Sequence, residues 1–146
     1  MRFTSLIVEL VRAKPRWIFW SAVLALALVW LILPAALYLS PPGEVPTVLA
    51  FGREYQVGTT MGPPLSFWLA DVAFRAVGGY AFGVYLLAQI CFVVMMAAVF
   101  TLARALVGAQ QGVLAALLTL AIAAFSYPGL EFGPDTLARP LWALTL

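Results

Sequence analysis

Residues 17–39 read WIFWSAVLALALVWLILPAALYL, without one charged side chain. Bilayer hydrocarbon gives backbone N–H and C=O groups no water to bond, so a crossing segment must satisfy them internally, as a helix. At ~1.5 Å per residue this run is roughly 35 Å long, enough to cross ~30 Å of hydrocarbon with some tilt. Outward from it, the charge gaps repeat. Between Arg75 and Arg104 lies YAFGVYLLAQICFVVMMAAVFTLA, residues 80–103, a second run of similar length. Between Arg104 and Glu131 lies a shorter apolar stretch, residues 113–127. It is expected to borrow from the residues just before it and form a third span over about 110–127, with local thinning of the bilayer as the other accommodation. The final LWALTL, from 141 onward, reads as the first turns of a fourth span, too short to cross. The sequence therefore predicts an all-α polytopic helical membrane protein: three transmembrane helices plus the start of a fourth, with residues 40–79 as an outer loop. Residues 1–146 are expected to be the N-terminal fragment of a longer transmembrane domain.

The composition agrees. Of 146 residues, 64% are hydrophobic and 10% charged, against about 45–50% and ~25% in a soluble domain. So short a chain has too little interior to hide that much apolar surface, which excludes a soluble enzyme and intrinsic disorder. The single cysteine, Cys91, excludes a disulfide scaffold. The chain has no histidine, so His-based triads and His-ligated zinc are excluded too. Nothing points to nucleic acid as a partner.

Orientation follows from lysine and arginine. Arg2, Arg12, Lys14 and Arg16 face only Glu9 in the first sixteen residues, whereas residues 40–78 set Arg53 and Arg75 against Glu44, Glu54 and Asp71. Arg104 marks the short turn between the second and third runs, and Glu131 and Asp135 outnumber Arg139 after the third. Basic and acidic segments alternate, placing the N-terminus in the cytoplasm. The long basic start and long apolar run argue for a retained anchor over a cleaved signal. Phe3, Leu6, Ile7, Leu10 and Val11 recur at helical spacing, predicting a basic amphipathic helix on the cytoplasmic surface. Leu65, Trp68, Leu69, Val72, Ala73 and Ala76 predict an outer amphipathic helix that begins at Pro63-Pro64 and ends at Gly78-Gly79. Asp71 and Arg75 lie on its opposite face as an i,i+4 structural pair.

The chemistry-bearing residues collect in two outer segments. Residues 40–64 carry Glu44, Arg53, Glu54, Tyr55 and Gln56; the stretch after the third run carries Glu131, Asp135 and Arg139. Long ordered loops in compact proteins are more often functional than not, and helix packing can bring these two together as a mixed-charge cluster at the outer surface. Plain readings stand beside the functional ones. Glu44 can be a solvated loop charge, Arg53 and Glu54 a local ion pair worth little, and Arg139 a side chain snorkelling to headgroups.

Gly52-Arg53-Glu54-Tyr55-Gln56-Val57-Gly58, continued by Pro63-Pro64-Leu65 and Trp68-Leu69, resembles the first outer loop of bacterial glycosyltransferase family 39. These are membrane enzymes of the GT-C fold, related to protein mannosyltransferases and the lipid A aminoarabinose transferase. Residues 128–145 look like that family's second outer loop and fourth span. The resemblance implies transfer of a sugar from a polyprenyl-phosphate donor to a lipid, glycan or protein acceptor, at the outer face of a bacterial inner membrane. An inverting displacement needs a carboxylate to take the acceptor's proton and positive charge to stabilise the departing phosphate. On that reading Glu44 is the general base, with Glu54 as a second catalytic acid. Arg53 and Arg139 are phosphate contacts, and Tyr55, Gln56, Glu131 and Asp135 line the substrate. The outer carboxylates would also suit a divalent cation. The family usually has Asp-Glu where this chain has Gly43-Glu44, and often a histidine where it has Gly62. Two other readings compete. A small transporter would need an ionisable group inside a span, and the predicted spans hold none. A non-catalytic multi-pass subunit would need no site at all.

Overall fold

The computed structural model describes residues 2–37, 39–40, 43–126 and 132–146. They form seven helices: α1 Arg2–Ala13, α2 Pro15–Leu37, α3 Val45–Glu54, α4 Pro64–Ala76, α5 Phe82–Val107, α6 Ala109–Ser126 and α7 Pro134–Thr145. The described residues contain no strand, only an isolated bridge between Thr59 and Gly62.

Among the described residues, only α2 and α5 are long and apolar enough to cross a membrane. The sequence predicted three spans and the start of a fourth, and the helix lengths correct this. α6 has 18 residues, about 27 Å at ~1.5 Å each, and its apolar described part is only Ala109–Ile122. α7 begins at Pro134, seven residues before the Leu141 expected from the sequence, because Gly133-Pro134 supplies a helix start: proline's fixed φ suits the first turn, where its missing N–H costs nothing. The predicted boundaries of the first two spans move by a few residues. α2 starts at Pro15 for the same reason, and α5 runs on to Val107, where Gly108 ends it.

The helices pack around two buried clusters. In the first, Phe19 and Val23 of α2 meet Met96 and Phe100 of α5 and Val113 and Ala116 of α6. Phe19 stacks on Phe100 with ring centroids 4.3 Å apart and planes 16° from parallel. The start of α2 thus meets the end of α5, and the two long helices run antiparallel. The second cluster sits at the other end of α5. There Val84, Tyr85, Ala88 and Cys91 take Val45, Val48 and Leu49 of α3, Phe67 and Ala70 of α4, and Phe132 just before α7. Three short helices therefore cap one end of α5, and this cap carries the outer-loop residues. Around α2, large apolar side chains stay uncovered, among them Leu24, Leu28, Val29 and Ile32. That is the normal surface of a helix whose solvent is lipid.

One element differs from the sequence reading. α3 lies inside residues 40–64, which read as outer loop. Pro46 sits in the first turn of α3, where proline is tolerated. Its buried Val45, Val48, Leu49 and Gly52 fall at helical spacing, a signal present in the sequence all along. α4 forms where predicted, and the face opposite its apolar stripe is the one that packs on the protein. Ser66, Phe67, Ala70 and Asp71 are buried, while Leu65 and Val72 are 50% and 56% exposed. An apolar stripe faces inward only when water lies outside; next to lipid it can face out. α1 takes in all five predicted apolar positions, with Phe3, Leu6, Ile7 and Leu10 uncovered and Val11 resting against the first cluster, but it ends at Ala13, so that Arg16 belongs to α2.

Candidate active site

The cap over α5 holds the candidate residues in two groups, one at each end of α3. Glu44 caps its N-terminus, where the Glu44 carbonyl accepts the Val48 N–H at 2.9 Å. The side chain is exposed and reaches toward the start of α7: a Cβ placed on Gly133 would lie 3.5 Å from Glu44 Oε2. Phe132, fully buried among the α3 and α5 side chains, fixes this end of α7 in place. Asp135 follows in the first turn of α7 and is exposed. The first N–H groups of a helix have no intrahelical partner and favour negative charge beside them, so both carboxylates are electrostatically at home there. The segment before α4 and the segment before α7, expected to converge, do so at Glu44 and Gly133. Arg139 lies one turn further along α7 and is exposed. Glu131 falls outside the described residues.

The other group lies at the C-terminus of α3. Ten residues of helix separate the ends by about 15 Å. Two carboxylates acting on one glycosidic centre lie roughly 5–9.5 Å apart, so Glu54 and Glu44 stand too far apart to share a reacting atom in this arrangement. Glu54 instead accepts a hydrogen bond from Gln56 Nε2 at 2.6 Å, on the surface. Arg53 lays its guanidinium over the Phe74 ring, 5.7 Å from the centroid. Tyr55 ends α3 in the left-handed region, φ 48°, and donates its hydroxyl to Asp71 Oδ2 at 2.7 Å. Arg75 Nε donates to the same oxygen at 2.8 Å and holds its guanidinium 5.8 Å from the Tyr55 ring centroid. The Asp71 hydrogen bond, then burial, push the Tyr55 hydroxyl pKa above its usual value, with the Arg75 charge pulling the other way.

Asp71 is the residue sequence reasoning missed. The i,i+4 spacing found its pair with Arg75, but not its burial, 1% exposed, nor its tie to Tyr55 sixteen residues away. A strand or helix pattern carries no signal for that contact. Among the described residues no cluster of three or more carboxylates or thiols could hold a metal ion.

The link between the groups is the turn ahead of α4. Thr59 Oγ1 donates to the Gly62 carbonyl at 3.1 Å, and Ser66 Oγ to the Pro63 carbonyl at 3.2 Å. Gly62 has φ +138°, and a Cβ there would sit 3.1 Å from Pro134 Cγ. The turn thus leans directly on the first residue of α7.

A family model described as dolichyl-phosphate-mannose-protein mannosyltransferase matches residues 61–146. The chain belongs to this family. The matched stretch takes in Gly62 and α4 through α7, and leaves α1 to α3, with Glu44, ahead of it. Family membership and the two long apolar helices together make this a membrane protein of a glycosyltransferase family. No curated protein and no solved structure matches the chain.

Proposed function

We propose that the protein transfers a sugar from a polyprenyl-phosphate donor to a hydroxyl acceptor at the outer face of a bacterial inner membrane, with Glu44 as the general base. The family match supports the donor class, because the family's description pairs a polyprenyl-type phosphate with the sugar. The approach of Glu44 to the first turn of α7 is the observation that carries the site. It joins the outer segment before α4 to an element inside the matched stretch. In the reaction, the acceptor oxygen attacks the anomeric carbon while Glu44 takes its proton. The bond from that carbon to the phosphate oxygen breaks, and the electron pair leaves with the polyprenyl phosphate. Negative charge growing on the phosphate needs a cationic partner, and Arg139 on α7 is the assigned candidate, with Arg53 at the far end of α3, over Phe74. Arg139 stands on the same helix as the Glu44 contact. Tyr55, Gln56 and Glu54 lie at the Arg53 end and would meet more distant parts of a substrate; Asp135 would line the Glu44 end. The basic first segment keeps the N-terminus cytoplasmic, so both groups face outward.

The test is a transfer assay on the full-length protein in lipid, with a polyprenyl-phosphate-linked hexose or pentose as donor. Removing a general base costs about 10²–10⁴ in turnover, so Glu44→Gln is expected to lose at least ~100-fold in kcat. Wild-type turnover in Glu44→Gln would sink the assignment.

A further inference from the structure

Asp71 sits where stability alone would not put a carboxylate. It is 1% exposed, packed under Gly52 of α3, whose added Cβ would lie 3.1 Å from Asp71 Cβ. Its Oδ1 has no hydrogen-bond partner among the protein atoms. Desolvating a charge is costly, and a well-packed apolar residue of similar volume is often as stable or more so. What the carboxylate provides is geometry. One oxygen, Oδ2, takes donors from two segments: Tyr55 at the end of α3 and Arg75 in the last turn of α4. Tyr55 is an aromatic residue at positive φ, a backbone state uncommon for a bulky side chain and persistent only where its surroundings hold it. The Arg75 guanidinium over the Tyr55 ring closes a triangle of three groups.

The segment that Tyr55 begins runs to Pro63 and is closed on itself near its end, where the Gly62 N–H donates to the Thr59 carbonyl at 3.4 Å and Thr59 Oγ1 bonds back to the Gly62 carbonyl. A segment fixed at both ends transmits position. Its start is pinned by Asp71, and its end, at Gly62, abuts Pro134, the residue next to the Gly133–Glu44 contact. We infer that Asp71 is a positioning residue, which grips Tyr55 and so sets residues 55–63 as a strut holding the start of α7 against Glu44. The catalytic consequence rests on the reading of Glu44 given above; the grip itself does not.

The experiment uses the full-length protein in lipid nanodiscs, as wild type, Asp71→Asn, Tyr55→Phe and the double variant. Amide hydrogen exchange of residues 56–62 is read first. Losing a hydrogen bond to a charged group is expected to speed it about tenfold in each single variant, and the double variant is expected to add nothing beyond the larger single effect, because both break one contact. In the transfer assay, kcat of Asp71→Asn is expected to fall ~10- to 100-fold, as small misplacements of a reacting group do, while its donor KM stays within about twofold of wild type. Wild-type exchange in Tyr55→Phe, or additive effects in the double variant, would overturn the grip, and Tyr55→Phe keeps this arm informative if Asp71→Asn misfolds. Loosened exchange with unchanged kcat would overturn the positioning role. Absence of transfer by the wild type would instead count against the transferase reading and leave the exchange result standing.

Discussion

Gly52→Ala tests the seat of α3 on α4, on which the placement of Glu44 depends. An added Cβ at Gly52 would lie 2.5 Å from the Phe67 carbonyl oxygen, 3.3 Å from the Phe67 carbonyl carbon and 3.1 Å from Asp71 Cβ. Ordinary contact begins near 3.4 Å, and two of these atoms are backbone inside a helix, so neither can rotate away. The helices must part by several tenths of an ångström. A gap of 0.5–1 Å forfeits roughly a quarter to a half of each contact's dispersion energy, and here it opens along Val48, Leu49, Phe67 and Ala70. Overpacking of this kind costs about 1–3 kcal/mol. Against it stands the better helix propensity of alanine, worth up to ~1 kcal/mol over glycine. The clash wins, leaving a net loss of about 1–2 kcal/mol, a factor of 5–30 in the local closing equilibrium. Amide exchange in α3 is therefore expected to rise by roughly that factor, with the centre of α5 unchanged. Slower exchange in α3 of Gly52→Ala would show that propensity dominates and that the helices are not in close contact there.

Two further perturbations follow from the same cap. Gly62→Ala places a side chain at φ +138° and against Pro134; strain of this kind costs about 1–3 kcal/mol, and kcat in the transfer assay is expected to drop with thermal stability. Unchanged values for both would show that the turn does not bear on α7. The Tyr55 hydroxyl, with its pKa raised above 10.0 in the fold, favours the protonated form in the native state. Its contribution is fully present below pH 10 and is lost as pH rises from there through the folded value. Tyrosinate absorbance measured as wild type minus Tyr55→Phe is expected to have its midpoint above pH 10, and Asp71→Asn to move that midpoint down. A Tyr55 titration at or below 10 in the wild type would break the hydrogen bond assigned to it.

What was legible in the sequence is what hydrophobicity alone decides. The two long apolar helices needed only the absence of charge between Arg16 and Glu44 and between Arg75 and Arg104 over so many residues, since a single segment satisfies its own backbone groups in hydrocarbon only as a helix. The short elements were decided by other terms. Residues 40–64 read as loop and the last helix as starting at Leu141, yet Pro46 and Pro134 each stand in the first turn of a helix, where proline is tolerated. The face of α4 could not be read from its apolar stripe, because a stripe says which side is apolar and not which side has protein on it. The grouping of Glu44, Arg53 and Glu54 in one loop concealed that a ten-residue helix holds Glu44 and Glu54 at opposite ends.

The departures from the family pattern take on a physical meaning in the same way. Gly43 and Gly62 replace the residues the resemblance led one to expect, and both have positive φ, 63° and 138°, which side chains rarely adopt. Gly62 also meets Pro134 closely, where a Cβ would be only 3.1 Å from the proline ring. A larger residue at 62 would push α7 away from the turn and carry Gly133 off Glu44. The two glycines thus belong to the backbone path that brings Glu44 and α7 together. If Glu44 is the base, the chain has exchanged side-chain chemistry at its neighbours for a closer approach of its two outer segments, and the Glu44→Gln and Gly62→Ala variants should lose the same step of the reaction.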